Sequence, residues 1–175
     1  MLQESIHASD RAIRIVEDGR TPLQIIRSLD ANGLVAGDAY ADLIDMAKHD
    51  AYIAHAGTPH AIALIPAVTI VQQPYTLAQL LSVGAEAGLQ KYPFVVALQA
   101  AEQLIEQDTD PCYVYFAHQE ALLPCVENQN RFRKLILSLA YEETRPILRV
   151  MRIKAGRPFN GTPLIAFGSP SDIEQ

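Results

Sequence analysis

The residues best suited to chemistry lie in three places. Four of the five histidines fall in the first 60 residues: His7, His49, His55 and His60. His49 adjoins Asp50, and imidazole and carboxylate are both metal-ligating groups. His49 and His55 are six apart, and His55 and His60 five apart. Neither spacing puts two ligands on one helical face, which needs i, i+3 or i+4. His49, Asp50 and His55 are therefore weak metal candidates, and no cofactor is expected. The second place is Cys112, His118 and Cys125, two thiols with a base between them. A thiol nucleophile needs a lowered pKa and a base within hydrogen-bond reach. No glycine-rich oxyanion loop accompanies either cysteine, so buried inert thiols are expected. The third place is a basic strip. Residues 131–157 hold Arg131, Arg133, Lys134, Arg145, Arg149, Arg152, Lys154 and Arg157 against Glu142 and Glu143 alone, in a chain of net charge −6.

The adjacent His49-Asp50 pair resembles that of the HD-type phosphohydrolases, in which such a pair supplies two ligands to a hydrolytic metal. The resemblance covers those two residues. It implies a further histidine upstream, for which His7 is available, and an aspartate downstream, Asp108 or Asp110. A metal-dependent phosphohydrolase-like enzyme using His49 and Asp50 is accordingly one reading of the function. Other signatures are missing: G-x-G-x-x-G, a Walker loop, G-x-S-x-G, H-E-x-x-H and C-x-x-C. The adjacent carboxylates Glu17-Asp18 and Glu142-Glu143 would point in different directions from a helix and make no acid/base dyad.

Composition excludes whole classes. Of 175 residues 49 % are hydrophobic and 19 % charged, which a disordered chain would not show. Two cysteines cannot staple a disulfide scaffold. The opening MLQESIHASD has neither the basic nor the apolar region of a secretory signal. Residues 61–85 are uncharged, but Pro66 interrupts the purely apolar part, 61–71, which is too short to span a bilayer. A cytoplasmic location with reduced thiols and no membrane association is the expectation. Nucleic acid is disfavoured by the negative net charge and by the few aromatic residues among the cations.

These residues must be positioned by secondary structure, and the first 110 residues read mainly as helix. Ile6, Ile13 and Val16 suggest a first helical stripe ended by Gly19. Thr21-Pro22-Leu23-Gln24 is a capping box with proline at the first helical position, and Thr76-Leu77-Ala78-Gln79 is a second box. Tyr40, Leu43, Ile44 and Ala47 make a third stripe, in a helix that could extend as far as Gly57. Phe94, Leu98, Ala101 and Ile105 make another after Pro93. Residues 61–71 suit either a buried strand or a buried helix. Beyond the turn-rich 108–111, Cys112–Phe116 reads as a strand, 120–143 as containing a helix with Phe132, Leu135, Ile136 and Leu139 on its stripe, and 147–154 and Leu164–Phe167 as strands. Asn160-Gly161 marks a turn.

The expected fold is α+β: a mainly helical N-terminal part, 1–110, packed on a small C-terminal β-α-β-β sheet, 111–175, as one compact unit. If the helix starts near Asn128, Arg131, Arg133 and Lys134 crowd its positive end and Glu142 and Glu143 its negative end. A sequence selected for stability alone would avoid that. Within the strand 147–154, Arg152 and Lys154 share one face and Arg149 lies on the other. The favoured function is a non-enzymatic cytoplasmic interaction protein, of adaptor, chaperone or inhibitor type, that docks on a protein partner or self-associates. Arg131, Arg133, Lys134, Arg152 and Lys154 are its candidate binding residues. Anion or nucleic-acid binding through the strip is the remaining reading.

Overall fold

The structure, a computed structural model, describes residues 11–107, 113–125, 131–154, 158, 161 and 163–168. Its elements are β1 (Ala12–Val16), α1 (Pro22–Ala31), α2 (Tyr40–His49), β2 (Pro59–Pro66), α3 (Ala67–Ile70), α4 (Leu77–Glu86), α5 (Phe94–Glu106), β3 (Val114–Phe116), β4 (Ala121–Pro124), β5 (Phe132–Glu142), β6 (Arg145–Arg152) and β7 (Leu164–Gly168). The seven strands form one mixed sheet, ordered β1-β2-β7-β3-β5. β3 and β4 share one edge of the long β5, and β6 takes the other. The β3–β7 pair is parallel and the other strand pairs are antiparallel.

This corrects the expected fold. Described residues are 35 % strand and 33 % helix, and the N-terminal part is not mainly helical. Ile13 and Val16 belong to edge strand β1, while Ile6 lies outside the described residues. The helix expected within 120–143 is instead β4 and β5, so the described residues contain no C-terminal β-α-β-β unit. β2 pairs with β7, so strands from both halves of the chain build the same sheet.

The physical reason is that the central strands are buried on both faces. Ile62, Leu64, Val114, Phe116, Leu135, Leu137, Leu139 and Ala166 pack with α1, α2 and α5 on one side. Ala63, Ile65, Ile136, Ile165 and Phe167 pack with α3 and α4 on the other. A strand covered on both faces carries a continuous apolar run with no polar alternation. Such a run also satisfies a helical stripe, which is why Leu135, Ile136 and Leu139 suggest one. Residues 61–71 contain both elements: β2 ends at Pro66 and a short helix, α3, follows.

Both capping boxes form. Thr21 accepts from Gln24 N while the Gln24 side chain accepts from Thr21 N, and Thr76 and Gln79 repeat this at α4. α2 ends at His49, well short of Gly57. Gly84 sits inside α4, against the buried ring of Phe167. A Cβ there would stand 2.2 Å from Phe167 Cζ. Gly84→Val should therefore destabilise the fold by ~2–3 kcal/mol, since overpacking outweighs the gain in helix propensity. Urea unfolding that found the variant as stable as the wild type would refute this contact. Glu142 and Glu143 end β5 at a tight turn, with Glu143 at φ 58, so they do not oppose a helix dipole.

Candidate functional site

The strand assignment redistributes the basic strip. Arg133 and Lys134 are neighbours in β5 and point to opposite faces of the sheet. Arg133 turns toward α2, where its Nη1 donates to Asp42 Oδ1 at 2.6 Å; its Nε is buried without a hydrogen-bond partner. Lys134 is exposed on the other face, directly opposite Leu122 of β4. Arg131 is exposed just before β5, and Arg152 and Lys154 are exposed at the far end of β6. Arg149 donates to Glu142, and Arg145 Nη2 donates to the Asn32 carbonyl. Arg152 pairs across with Leu135 and Arg149 with Ser138, so the two lie on opposite faces. Arg157 lies outside the described residues. The strip is thus divided between a half-buried ion pair, a charged edge strand and a few exposed cations near β4.

A groove of about 560 Å³ lies where α2 meets the β4–β5 ribbon. Asp45, His49 and Arg133 line one side, and Leu123, Pro124, Cys125 and Phe132 the other. Two large apolar side chains stand at this end of the sheet: Leu122 is 54 % exposed and Phe132 64 %. Pro124 pairs with Phe132 and Leu122 with Lys134, so all four share one face of the ribbon. Leu122 and Phe132 are diagonal neighbours, a relation that spans ~7–8 Å in an antiparallel pair.

The metal candidates do not converge. His49 ends α2, and its Nδ1 lies 2.9 Å from the Asp45 carbonyl. Asp50 caps that helix, and its Oδ1 accepts from Tyr52 N while Oδ2 has no hydrogen-bond partner. Burial raises the Asp50 carboxyl above its ordinary value. His55 contributes its backbone N–H elsewhere. Among the described residues no three His, Cys, Asp or Glu side chains are arranged to hold a metal ion. His7, Asp108 and Asp110 lie outside those residues, as does Cys112.

His118 is not a partner for Cys125. It is fully buried beneath Phe94, with ring centroids 5.1 Å apart. Its Nε2 accepts the Leu137 backbone N–H at 2.9 Å, and its Nδ1 lies 2.6 Å from the Gln119 carbonyl. An acceptor Nε2 fixes the neutral tautomer with hydrogen on Nδ1. Burial accordingly pushes its pKa down to about 4. Cys125 lines the groove instead, partly exposed.

One polar centre escapes the sequence reading. Glu17 has a fully buried carboxylate. Its Oε1 accepts from Tyr52 Oη at 2.6 Å and from His60 Nε2 at 2.7 Å, and its Oε2 accepts from His55 N at 2.8 Å. A carboxylate has no proton to give, so His60 Nε2 carries the hydrogen. Burial pulls the Glu17 pKa up, but these three donors outweigh it and leave it below its ordinary value. Tyr52, half-buried and bonded to the carboxylate, is pushed up to about 12 by desolvation and by that bond. The centre ties the irregular 50–58 segment to the end of β1. The signal was the alternation of β1: Ile13, Ile15 and Glu17 point inward while Arg14 and Val16 point outward.

Next to it lies a second cluster. Arg20 donates to Glu102 through both Nη1 and Nη2, at 3.1 and 2.5 Å, and through Nε to Asp18 at 2.6 Å. Gln99 Nε2 donates to Asp18 Oδ1 at 2.6 Å.

No described helix is long and apolar enough to cross a membrane. Comparison with protein families, with characterised proteins and with solved structures finds no match for this chain.

Proposed function

We propose that this chain is a non-enzymatic docking protein that binds a protein partner through the β4–β5 ribbon and the groove beside it. One observation carries the reading. Leu122 and Phe132, both more than half exposed, stand together with Lys134 on one sheet face, and Arg131 is exposed at the start of the ribbon. Covering the exposed part of each would contribute ~1–2 kcal/mol at ~25 cal/mol/Å². The two cations select a partner segment whose apolar residues are bordered by carboxylates. The cations of β6, Arg145, Arg149 and Arg152, have a different role. They lie along an edge strand, where charge discourages strand addition by like copies of the chain.

The test is site-specific photo-crosslinking. A photoreactive residue at position 132 or 122 should give a discrete adduct that Lys134→Glu abolishes and rising salt weakens. The same residue at Val16, exposed on the opposite edge strand, should not give it. No adduct at 132 and 122, or the same adducts from position 16, overturns the proposal. Because Phe132 is so exposed, Phe132→Ser should change folding stability by no more than ~0.5 kcal/mol while removing the adducts seen from position 122. A clearly destabilised Phe132→Ser would mean that the ring serves the fold.

A further inference from the structure

The strand at the far edge of the sheet, β1, is open where the other edges are closed. The hydrogen bonds that flank the β1–β2 pair fix its orientation: Leu64 N donates to the Arg11 carbonyl, and Glu17 N donates to the Thr58 carbonyl. In an antiparallel pair such bonds recur at alternate residues. Ile13 and Ile15 therefore turn their N–H and C=O groups toward β2, while Ala12, Arg14 and Val16 turn theirs away. Among the described residues β1 pairs with β2 alone, and no hydrogen bond reaches the backbone of Ala12, Arg14 or Val16. All three of these residues are exposed.

The contrast with the other edges is the second observation. On β6 the outward groups of Leu148 are already used: its N–H donates to the Leu34 carbonyl and its carbonyl accepts from Ala36 N. Arg145, Pro146, Arg149 and Arg152 add charge and a missing donor to that edge. On β4, Cys125 N donates to the Arg131 carbonyl, so Leu122 and Pro124 are the outward positions, and Pro124 has no N–H. β1 has no proline, and Arg14 is its single charge. A row of unpaired backbone groups on such an edge is a template for another strand.

We propose that β1 pairs antiparallel with β1 of a second copy of this chain, joining two seven-stranded sheets across a two-fold axis. The edge is self-complementary, because outward N–H and C=O groups at alternate residues match the same groups of an antiparallel copy. Charge and reach select the register. An axis at Arg14 would set two guanidinium groups directly opposite each other, which is unfavourable. An axis at Ile13 would pair Arg14 with Ala12 and leave Val16, 52 % exposed, uncovered. An axis at Ile15 sets Arg14 opposite Val16 in both directions, so the methylene stem of each arginine covers a valine and four backbone hydrogen bonds form. Pairing of five-residue strands buries less than the ~1,600 Å² of a standard interface, so the dimer is weak and concentration-dependent.

Sedimentation equilibrium of the full chain, from micromolar to millimolar concentration, should show the mass rising from 19.2 kDa toward twice that value. Amide hydrogen exchange reads the register. The N–H groups of Arg14 and Val16 should exchange freely in dilute solution and slow by about fivefold or more at millimolar concentration, whereas those of Ile13 and Ile15 should be protected at both. Arg14→Pro is the decisive variant. The N–H it removes points away from β2, so the sheet keeps its bonds while the ring blocks an added strand. Its dissociation constant should rise by about tenfold or more, with the urea midpoint unchanged. Val16→Pro blocks the other outward N–H and should do the same, whereas Arg14→Ala, which keeps the N–H, should still dimerise. A wild type that stays monomeric at millimolar concentration overturns the proposal. So does a dimer retained by folded Arg14→Pro or Val16→Pro, or one that forms without protecting Arg14 and Val16. Phe132→Ser should leave the dimer intact; its loss in that variant would place the contact on the β4–β5 ribbon and overturn pairing through β1.

Discussion

Glu17→Leu should destabilise the protein by ~3–5 kcal/mol, as expected when one member of a buried charged network is removed. The carboxylate is fully buried and receives three donors: Tyr52 Oη, His60 Nε2 and the His55 N–H. Leucine satisfies none of them, so each must find water or remain unpaired. Against a total stability of ~5–15 kcal/mol the loss is a large fraction, and Tm should fall by roughly 6–20 °C. Glu17→Gln keeps the shape and one acceptor oxygen but brings an NH₂ toward a donor, so it should fall between wild type and Glu17→Leu. Tyr52→Phe removes one of the three bonds and should cost ~1–2 kcal/mol. The native Glu17 pKa lies below its ordinary 4.5, so the folded state holds fewer protons than the unfolded chain in that range. Its contribution is therefore complete above pH 4.5 and is lost as pH falls through the lower folded value. Urea titrations at pH 7 placing Glu17→Leu within 1 kcal/mol of wild type would show that the 50–58 segment is anchored by something else.

Much of the local structure was legible in the sequence because local chemistry dictates it. The Thr21 and Thr76 boxes and the Pro93 helix start depend on residues within one turn of each other. The strands at 147–154 and 164–167 carry β-branched and aromatic residues between turn signals, and both are close to β6 and β7. What the sequence concealed depends on tertiary cover. The run Leu135–Ala140 reads equally as helix or strand until one knows that helices lie on both sides of the sheet. With β5 misread, Arg133 and Lys134 looked like neighbours on one surface, whereas the pleat sends one to Asp42 and the other to solvent beside Leu122. The exposed pair Leu122 and Phe132 depends on the β4–β5 register, which no composition count contains. Glu17 was readable in part. A strand's period of two places it in line with Ile13 and Ile15, but a helical reading of the same residues hides that alignment. Its partners come from 35 to 43 residues away and carry no local signal.

His118 should give the protein an acid-labile core above the pH at which its carboxylates titrate. The ring is fully buried, and its Nε2 accepts the Leu137 N–H. Protonation would turn that acceptor into a donor facing another donor, and would place a charge in an apolar interior under Phe94. Burial is the main cause of the low pKa, about 4 against the ordinary 6.5; Lys91 adds to it, while the Gln119 carbonyl and Glu120 act in the opposite direction. Between those values the unfolded chain carries a proton that the folded chain lacks, so stability must fall as pH falls. The contribution is complete above about pH 6.5 and fully lost near pH 4, for a total of about 3 kcal/mol. Glutamine is the discriminating substitution. It can accept from Leu137 N–H and donate to the Gln119 carbonyl, but it does not titrate. His118→Gln should be less stable than wild type at pH 8, by ~1–2 kcal/mol for imperfect packing. Its stability should then decline less steeply from pH 6.5 to 4.5, and the two curves should approach or cross. Subtracting the curves cancels the other histidines and Glu17, which are present in both proteins. Parallel curves over that window, or an imidazole resonance of His118 titrating near its ordinary value in the folded protein, would show that the ring does not hold the neutral, acceptor role given to it by the Leu137 bond.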